Sequence, residues 1–235
     1  MCYEIGTFLF AMRENDSPRK QIGNLLDAGL FQDALALLKT SGLLRTRVGS
    51  IEDPLLEAEL LERVGQVDSA SNLLAVIRRT RKLDPLLESR TWLLHGALAK
   101  QKGHRTEART AFERARQAAV QGEDLTLQCW AGLRLMTTSG EDQDRDSSRH
   151  DRSSLEDDVL RAGNPRLTIA YHSFRAELEA KDGRFKRAAG HAAVARSLLV
   201  SFPNQWLSGL IELHCSCVAY LSGDAVAAHR HALAA

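Results

Sequence analysis

Residues 103–119 read GHRTEARTAFERARQAA, and Ala108, Ala111, Phe112, Ala115, Ala118 and Ala119 recur there at helical spacing, leaving the opposite face to Arg, Glu, Thr and Gln. A helix of this kind buries one small-residue face against neighbours and wets the other. Its skeleton is a glycine followed five residues later by alanine and nine later by an apolar or small residue. That skeleton occurs five times: Gly29, Ala34 and Leu38; Gly65, Ala70 and Leu74; Gly103, Ala108 and Phe112; Gly183, Ala188 and Ala192; and Gly223, Ala228 and Ala232. The glycines are spaced by 36, 38, 80 and 40 residues, so the long gap holds one more copy. Gly140 supplies it, 37 residues after Gly103 and 43 before Gly183, with Arg145 in place of the alanine. A period of this length made of paired helices predicts an all-α chain: an α-solenoid of about six antiparallel helix hairpins, of the kind that binds rather than catalyses.

Working outward from the glycines, the prolines mark the other ends of the first helices. Ser17-Pro18, Asp53-Pro54, Asp84-Pro85 and Asn164-Pro165 each place proline behind a residue able to cap a helix, and Phe202-Pro203 is the exception. From proline to glycine, first helices are expected near 18–28, 54–64, 86–102, 166–182 and 204–222, with a proline-free one near 124–138. Second helices follow near 31–40, 67–82, 105–121, 155–162, 185–201 and 225–235. Each glycine closes a first helix in the left-handed conformation, and the alanine behind it lets the second helix cross closely. The chain then divides into an N-terminal segment, 1–14, and a repeat domain, 15–235, with a polar insertion at 140–154. From 141 to 158 there are eight acidic residues and three arginines, which predicts a solvated, mobile insertion. Ser147, Ser148, Ser153 and Ser154 make it either a phosphorylatable or partner-binding loop or a plain one.

Composition narrows the function classes. The chain has 235 residues, 44% of them hydrophobic, enough for a sizeable core. With 31 basic and 30 acidic residues its formal charge is +1, which gives no pull toward nucleic acid or an anionic membrane. Cys2, Cys129, Cys215 and Cys217 have the spacing of neither a disulfide framework nor a paired zinc site, so reduced thiols are expected. No stretch approaches the roughly 18 apolar residues of a membrane span. The apolar run from Ile5 to Met12 carries Glu4 where a signal peptide wants positive charge, and a cytoplasmic protein is expected. Residues 3–12 also lack the basic residues of a membrane-surface helix.

Within Ser89–Gly122, the residues Trp92, Gly96, Ala99, Gly103, Ala108, Phe112 and Ala115 stand in the order and spacing that resemble a tetratricopeptide repeat, with His95 replacing the usual leucine. Ala58, Ala176 and Ser216 keep the small residue seven before the glycine, whereas Ile22 and Glu179 depart from the pattern. The resemblance extends over residues 15–235 and implies a right-handed superhelix whose concave groove, lined by first helices, holds a peptide or a partner domain. Transferring the family's groove positions gives Glu59, Glu62 and Arg63 in the second copy and Arg90, Leu93, Lys100 and Gln101 in the third. Glu177 and Lys181 follow in the fifth, and Leu213 and Tyr220 in the sixth. The lysine and asparagine clamp of chaperone-binding members is not visible, so chaperone binding is not expected. Copies longer than the family's usual length also resemble the sensory arrays of bacterial transcription regulators. That implies, as the second reading, a signal-receiving domain for an output domain of the same longer protein. The sequence stops at Ala235 inside the last second helix, which suggests a fragment or an end covered by a partner.

Sharper chemistry is not recognisable. His214, Cys215, Cys217, His229 and His231 cluster near the end, but 215 and 217 do not share a helix face and no second pair has ligand spacing, so no metal or other cofactor is expected. No nucleophile with its base and no phosphate-cradling glycine loop is found, so no catalytic residue is assigned. Arg78, Arg79, Arg81 and Lys82 lack interleaved aromatics and suit a solvated helix end better than nucleic acid. Trp92 and Trp130 are expected in the core and Trp206 nearer the surface.

Overall fold

A computed structural model describes residues 17–46, 51–79, 83–138 and 145–235, with side chains described for all of these except 45–46 and 145–153. The N-terminal segment, residues 140–144, Arg81 and Lys82 lie outside the described residues. Among the described residues there is no strand. Twelve helices follow one another: α1 (Pro18–Ala28), α2 (Phe31–Thr40), α3 (Glu52–Arg63), α4 (Val67–Ile77), α5 (Pro85–Gln101), α6 (Arg105–Gln121), α7 (Leu125–Thr138), α8 (Arg145–Ala162), α9 (Pro165–Lys181), α10 (Phe185–Ser201), α11 (Gln205–Leu221) and α12 (Ala225–Ala234). A four-residue helical turn, Leu43–Thr46, lies between α2 and α3.

The glycines end helices as their spacing predicts. Gly65 and Gly103 have φ of +80° and +81°, and the next amides, of Gln66 and His104, donate back to the carbonyls of Leu61 and Ala99 at 2.8 and 2.9 Å. This closing motif satisfies carbonyls that the helix leaves unpaired. Between α6 and α7 the same bond runs from Asp124 to Ala119 at 3.0 Å, but Glu123, at φ +54°, occupies the left-handed position. Capping is more selective than the Xaa-Pro pattern implies. Asp84 and Asn164 accept from first-turn amides, Asn204 does the same after Pro203, and Ser17 makes no such bond. Asp53 lies inside α3 rather than before it, because its carboxylate is taken by Arg19 of α1 at 2.6 and 2.9 Å. Pro54 then sits in the first turn, where its missing N–H costs nothing.

One expected boundary moves substantially. α8 starts at Arg145, not Leu155, so residues 145–154 of the polar insertion extend a helix. No glycine or proline interrupts 145–162, and a helix nucleated on the packed turn around Val159 propagates through such sequence.

Consecutive helices pack on one another throughout. In addition α3 packs on α5, α5 on α7, α7 on α9 and α9 on α11, so these odd-numbered helices form a continuous layer, which α1 joins through the Arg19–Asp53 pair. Ala34, Ala70, Ala108 and Ala188 are fully buried where even helices cross odd ones. Ala228 departs from this uniform burial. It faces α11, and the Ser216 hydroxyl of that helix donates to its carbonyl at 2.8 Å, yet it keeps 8% exposure. The reason is position in the array: α12 packs chiefly on α11, with His231 also 3.3 Å from Arg196 of α10, and among the described residues no later helix covers the crossing. A Cβ on Gly96 would lie 2.4 Å from the Phe112 ring, so α5 and α6 interlock through a glycine and an aromatic. Two leucine-rich clusters, around Leu38 and Leu55 and around Ile169 and Leu207, flank this small-residue centre.

The two ends of the layer meet. Asn204 Nδ2 donates to the Asp27 carbonyl at 2.9 Å, Arg166 pairs with Asp27, and the Phe31 and Trp206 rings are 6.1 Å apart. Gly29 permits this approach: a Cβ there would stand 2.6 Å from Asn204 Oδ1 and 2.7 Å from the Trp206 amide nitrogen.

Candidate functional site

Every odd-numbered helix places at least one residue on a single cavity of about 350 Å³, which α2 completes. Leu56 and Leu60 of α3, Leu93 and Leu94 of α5, and Leu127 and Trp130 of α7 form apolar walls. Phe31 and Trp206 form an aromatic end, and the Arg63 guanidinium lies 4.5 Å from the Trp206 ring centre and 5.7 Å from that of Phe31. Both are within cation–π range.

Charge on the wall is largely paired, with one exception. Arg90 grips Glu59 with two hydrogen bonds, 3.0 and 2.6 Å, and the pair raises the Arg90 pKa although burial opposes it. Glu62 accepts from Gln101 at 2.6 Å and lies 3.6 Å from Arg63. Arg134 has neither an ion-pair partner nor a hydrogen bond from its guanidinium among the described residues. It keeps some accessible surface, but that surface faces the cavity. Burial, then repulsion from Arg63, push its pKa down to about 10, with Glu62 opposing. The group remains a cation at neutral pH. Its neighbours Glu59, Arg90 and Arg63 retain 29%, 31% and 27% of side-chain exposure, so the cavity is wet.

The groove residues expected from the sequence fall into two groups. Glu59, Glu62, Arg63, Arg90 and Leu93 line the cavity, and Gln101 reaches it through Glu62. Lys100, Glu177, Lys181, Leu213 and Tyr220 do not line it. Lys100 donates to Thr137 Oγ1 and to its carbonyl at 3.0 and 3.3 Å, and Lys181 pairs with Glu177 at 2.6 Å. Burial, then Arg134, lower the Lys100 pKa, and both Glu177 and Lys181 act on it, which places the three in one neighbourhood. Leu213 and Tyr220 are 56% and 74% exposed, unlike the core leucines of the same helix layer. Leu127, Trp130 and Arg134 are absent from the expected groove, yet they stand 13, 10 and 6 residues before Gly140, the offsets used for the other copies. Gly140, the glycine of the fourth copy, carries that signal. Trp206, Asn204 and Arg166 have none, because they reach the site only when the ends meet.

Trp92 does not sit in the core. Its ring is flanked by Arg78 at 4.6 Å and Arg114 at 4.7 Å, and its Nε1 donates to Glu88 at 3.3 Å. His95, beside it, lies 3.1 Å from Glu107. Trp130 is likewise only partly buried, because one side meets the cavity. Trp206 is also half-buried, against the surface position expected.

Two further clusters carry titratable groups. Ser173 Oγ lies 2.7 Å from His214 Nδ1, and His214 Nε2 lies 3.3 Å from Glu177. The connectivity matches a serine–histidine–carboxylate relay, but Ser173 is 1% exposed, so no substrate reaches its oxygen. His172 and His191 place their Nδ1 atoms 2.9 Å apart, and burial lowers both pKa values. Among the described residues no group of three or more His, Cys, Asp or Glu could hold a metal ion, and no helix is long and apolar enough to cross a membrane. Burial raises the thiol pKa of Cys129, to about 11, and those of Cys215 and Cys217.

No protein-family model matches the chain, and neither a curated protein nor a solved structure is significantly similar to it.

Proposed function

We propose that the chain is a noncatalytic interaction module, a tetratricopeptide-like superhelix of six hairpins that presents its odd-numbered helices to a peptide or a partner domain. The observation that carries this reading is the continuous odd-helix layer, with exposed Leu213 and Tyr220 one face apart by seven residues on α11. On this reading they continue the neighbourhood of Lys100, Glu177 and Lys181 into a strip of mixed charge and apolar surface. Such a strip suits an extended peptide with apolar anchors. The test is selection of a random peptide library on the intact chain, followed by affinity measurement against the double variant Leu213→Ser with Tyr220→Ser. Selected peptides are expected to bind the variant at least about tenfold more weakly, the loss of one good contact. Failure to enrich any sequence, or equal affinity for both proteins, overturns the reading.

The cavity favours a second reading, in which the array receives a chemical signal and controls an output domain of a longer protein, as in transcription regulators. A residue from every odd-numbered helix meets there, so an occupant bears on the whole layer at once. This reading fails if occupying the cavity leaves partner affinity unchanged.

A further inference from the structure

Arg134 poses a question that the rest of the cavity wall does not. Glu59 satisfies Arg90, Asp27 satisfies Arg166, and Glu62 stands between Gln101 and Arg63. Counting these charges, four arginines face three carboxylates, and the surplus cation is Arg134. Its guanidinium keeps accessible surface within the cavity and so stays open to a counter-charge supplied by a ligand. Glu62 acts on it without touching it, and no side chain among the described residues makes an ion pair or hydrogen bond with its guanidinium. Beside these charges the wall carries leucines and two tryptophans, and the volume, about 350 Å³, lies in the range of small-molecule sites. An inorganic anion would satisfy Arg134 and leave the apolar wall wet. A neutral apolar molecule would cover the wall and leave the cation bare.

We infer that the cavity is a binding site for a small amphipathic monoanion, an aromatic or long-chain carboxylate or sulfonate, whose anionic head is held by Arg134 and whose body lies against Trp130, Trp206 and Leu93. Arg63 is committed to the Phe31 and Trp206 rings and closes the site over the ligand's apolar body. Glu59 and Glu62 repel a second negative charge, so dianions are excluded. The inference names the chemistry of the signal in the second reading above, and its test is separate from that reading because it measures binding alone.

The test uses two probes that share an apolar body: 8-anilino-1-naphthalenesulfonate, which carries one sulfonate, and N-phenyl-1-naphthylamine, which carries none. Trp130 and Trp206 line the site, so energy transfer from tryptophan reports occupancy. The sulfonate is expected to bind the intact chain with one-to-one stoichiometry and at least about tenfold more tightly than the neutral probe, the scale of one charge-assisted contact. Arg134→Met is expected to abolish that difference while leaving the neutral probe within about threefold, and Arg134→Lys to keep most of it. Equal binding of both probes to the wild-type chain overturns the inference without any variant. So does undiminished sulfonate binding by Arg134→Met. If the sulfonate binds as expected but does not alter affinity for the selected peptides, the ligand site stands and the signal-receiving reading falls.

Discussion

At the scale of single residues, Gly65 and Gly96 have different reasons for being glycine, and substitution separates them. Nothing lies within 4 Å of a Cβ built on Gly65, so Gly65→Ala meets only the left-handed backbone penalty, about 1–2 kcal/mol. Gly96→Ala meets the rigid Phe112 ring instead and should cost about 1–3 kcal/mol through overpacking, recoverable in part by also making Phe112→Leu. Chemical denaturation of both glycine variants, each with and without Phe112→Leu, checks the pair: if Phe112→Leu rescues Gly65→Ala equally, the interlock is not the cause. Glu123 is the converse case, and Glu123→Gly should be neutral or stabilising by up to about 1 kcal/mol. The histidines give a pH signature. Burial lowers the pKa of His172 and His191; mutual repulsion then acts on His172, and Arg175 on both. The folded chain therefore binds these protons less readily than the unfolded one. Their contribution is fully present above the unfolded value of about 6.5 and is lost as pH falls below it toward the folded values. Melting temperature should thus drop between pH 7.5 and pH 5.5, and the double variant His172→Gln with His191→Gln should flatten that drop. An unchanged slope in the double variant would rule the pair out as its source. Some slope should remain, since burial also lowers His95 and His214.

At the scale of helices, crossings and groove positions respond differently to the same new charge. Ala108 has no exposed surface at the α5–α6 crossing, so Ala108→Glu should cost about 3–5 kcal/mol and leave little folded protein. Lys100→Glu also has a stability effect, because Lys100 caps the carbonyl end of α7 through Thr137; about 1 kcal/mol is expected, read by the denaturation midpoint. A loss as large as that of Ala108→Glu would mean that Lys100 belongs to the core. The contrast explains how much is legible beforehand. Ala34, Ala70, Ala108 and Ala188 are readable because each is fixed by local chemistry, a left-handed glycine five residues earlier and a close helix crossing. Ala228 shares that chemistry behind Gly223 but not the full burial, since spacing specifies the crossing and says nothing of what covers it from the far side. Helix α8 is longer than its sequence suggests because its polar N-terminal half has no burial pattern, and polarity alone does not distinguish an exposed helix from a loop. Glu59, Glu62, Arg63, Arg90 and Leu93, under a third of the cavity wall, are legible from first-helix offsets, and Leu127, Trp130 and Arg134 join them once Gly140 is treated like the other copies. Arg166, Asn204 and Trp206 depend on pairings across 139 and 177 residues, for which no local spacing exists.

At the scale of the whole molecule, the meeting of the two ends decides whether the odd-helix layer is an open surface or the wall of a closed cavity. Asn204 does two things at that junction. Its Oδ1 accepts from the Leu207 amide at 2.8 Å and caps α11, while its Nδ2 donates to the Asp27 carbonyl at 2.9 Å and ties α1 to α11. Serine keeps the first function and cannot reach for the second, so the two are separable. Asn204→Ala should lose the cap and the tie, about 1–2 kcal/mol in all, whereas Asn204→Ser should lose mainly the tie. The informative measurement is hydrogen exchange rather than global stability. If the junction closes the cavity, Asn204→Ser should speed exchange in α1 and α2, which otherwise pack only on their sequence neighbours, and leave α11 protected. Gly29→Ala should do the same by steric means, since its Cβ would strike Asn204 and the Trp206 backbone, and Gly65→Ala, with no such contact, should not. An anion held by Arg134 against Trp206 bridges α7 and α11 and should slow that exchange in the wild-type chain. Equal exchange of α1 and α2 in Asn204→Ser and the wild type would mean that the first pair is held by α3 alone, through Arg19 and Asp53, and that the ends touch without restraining each other.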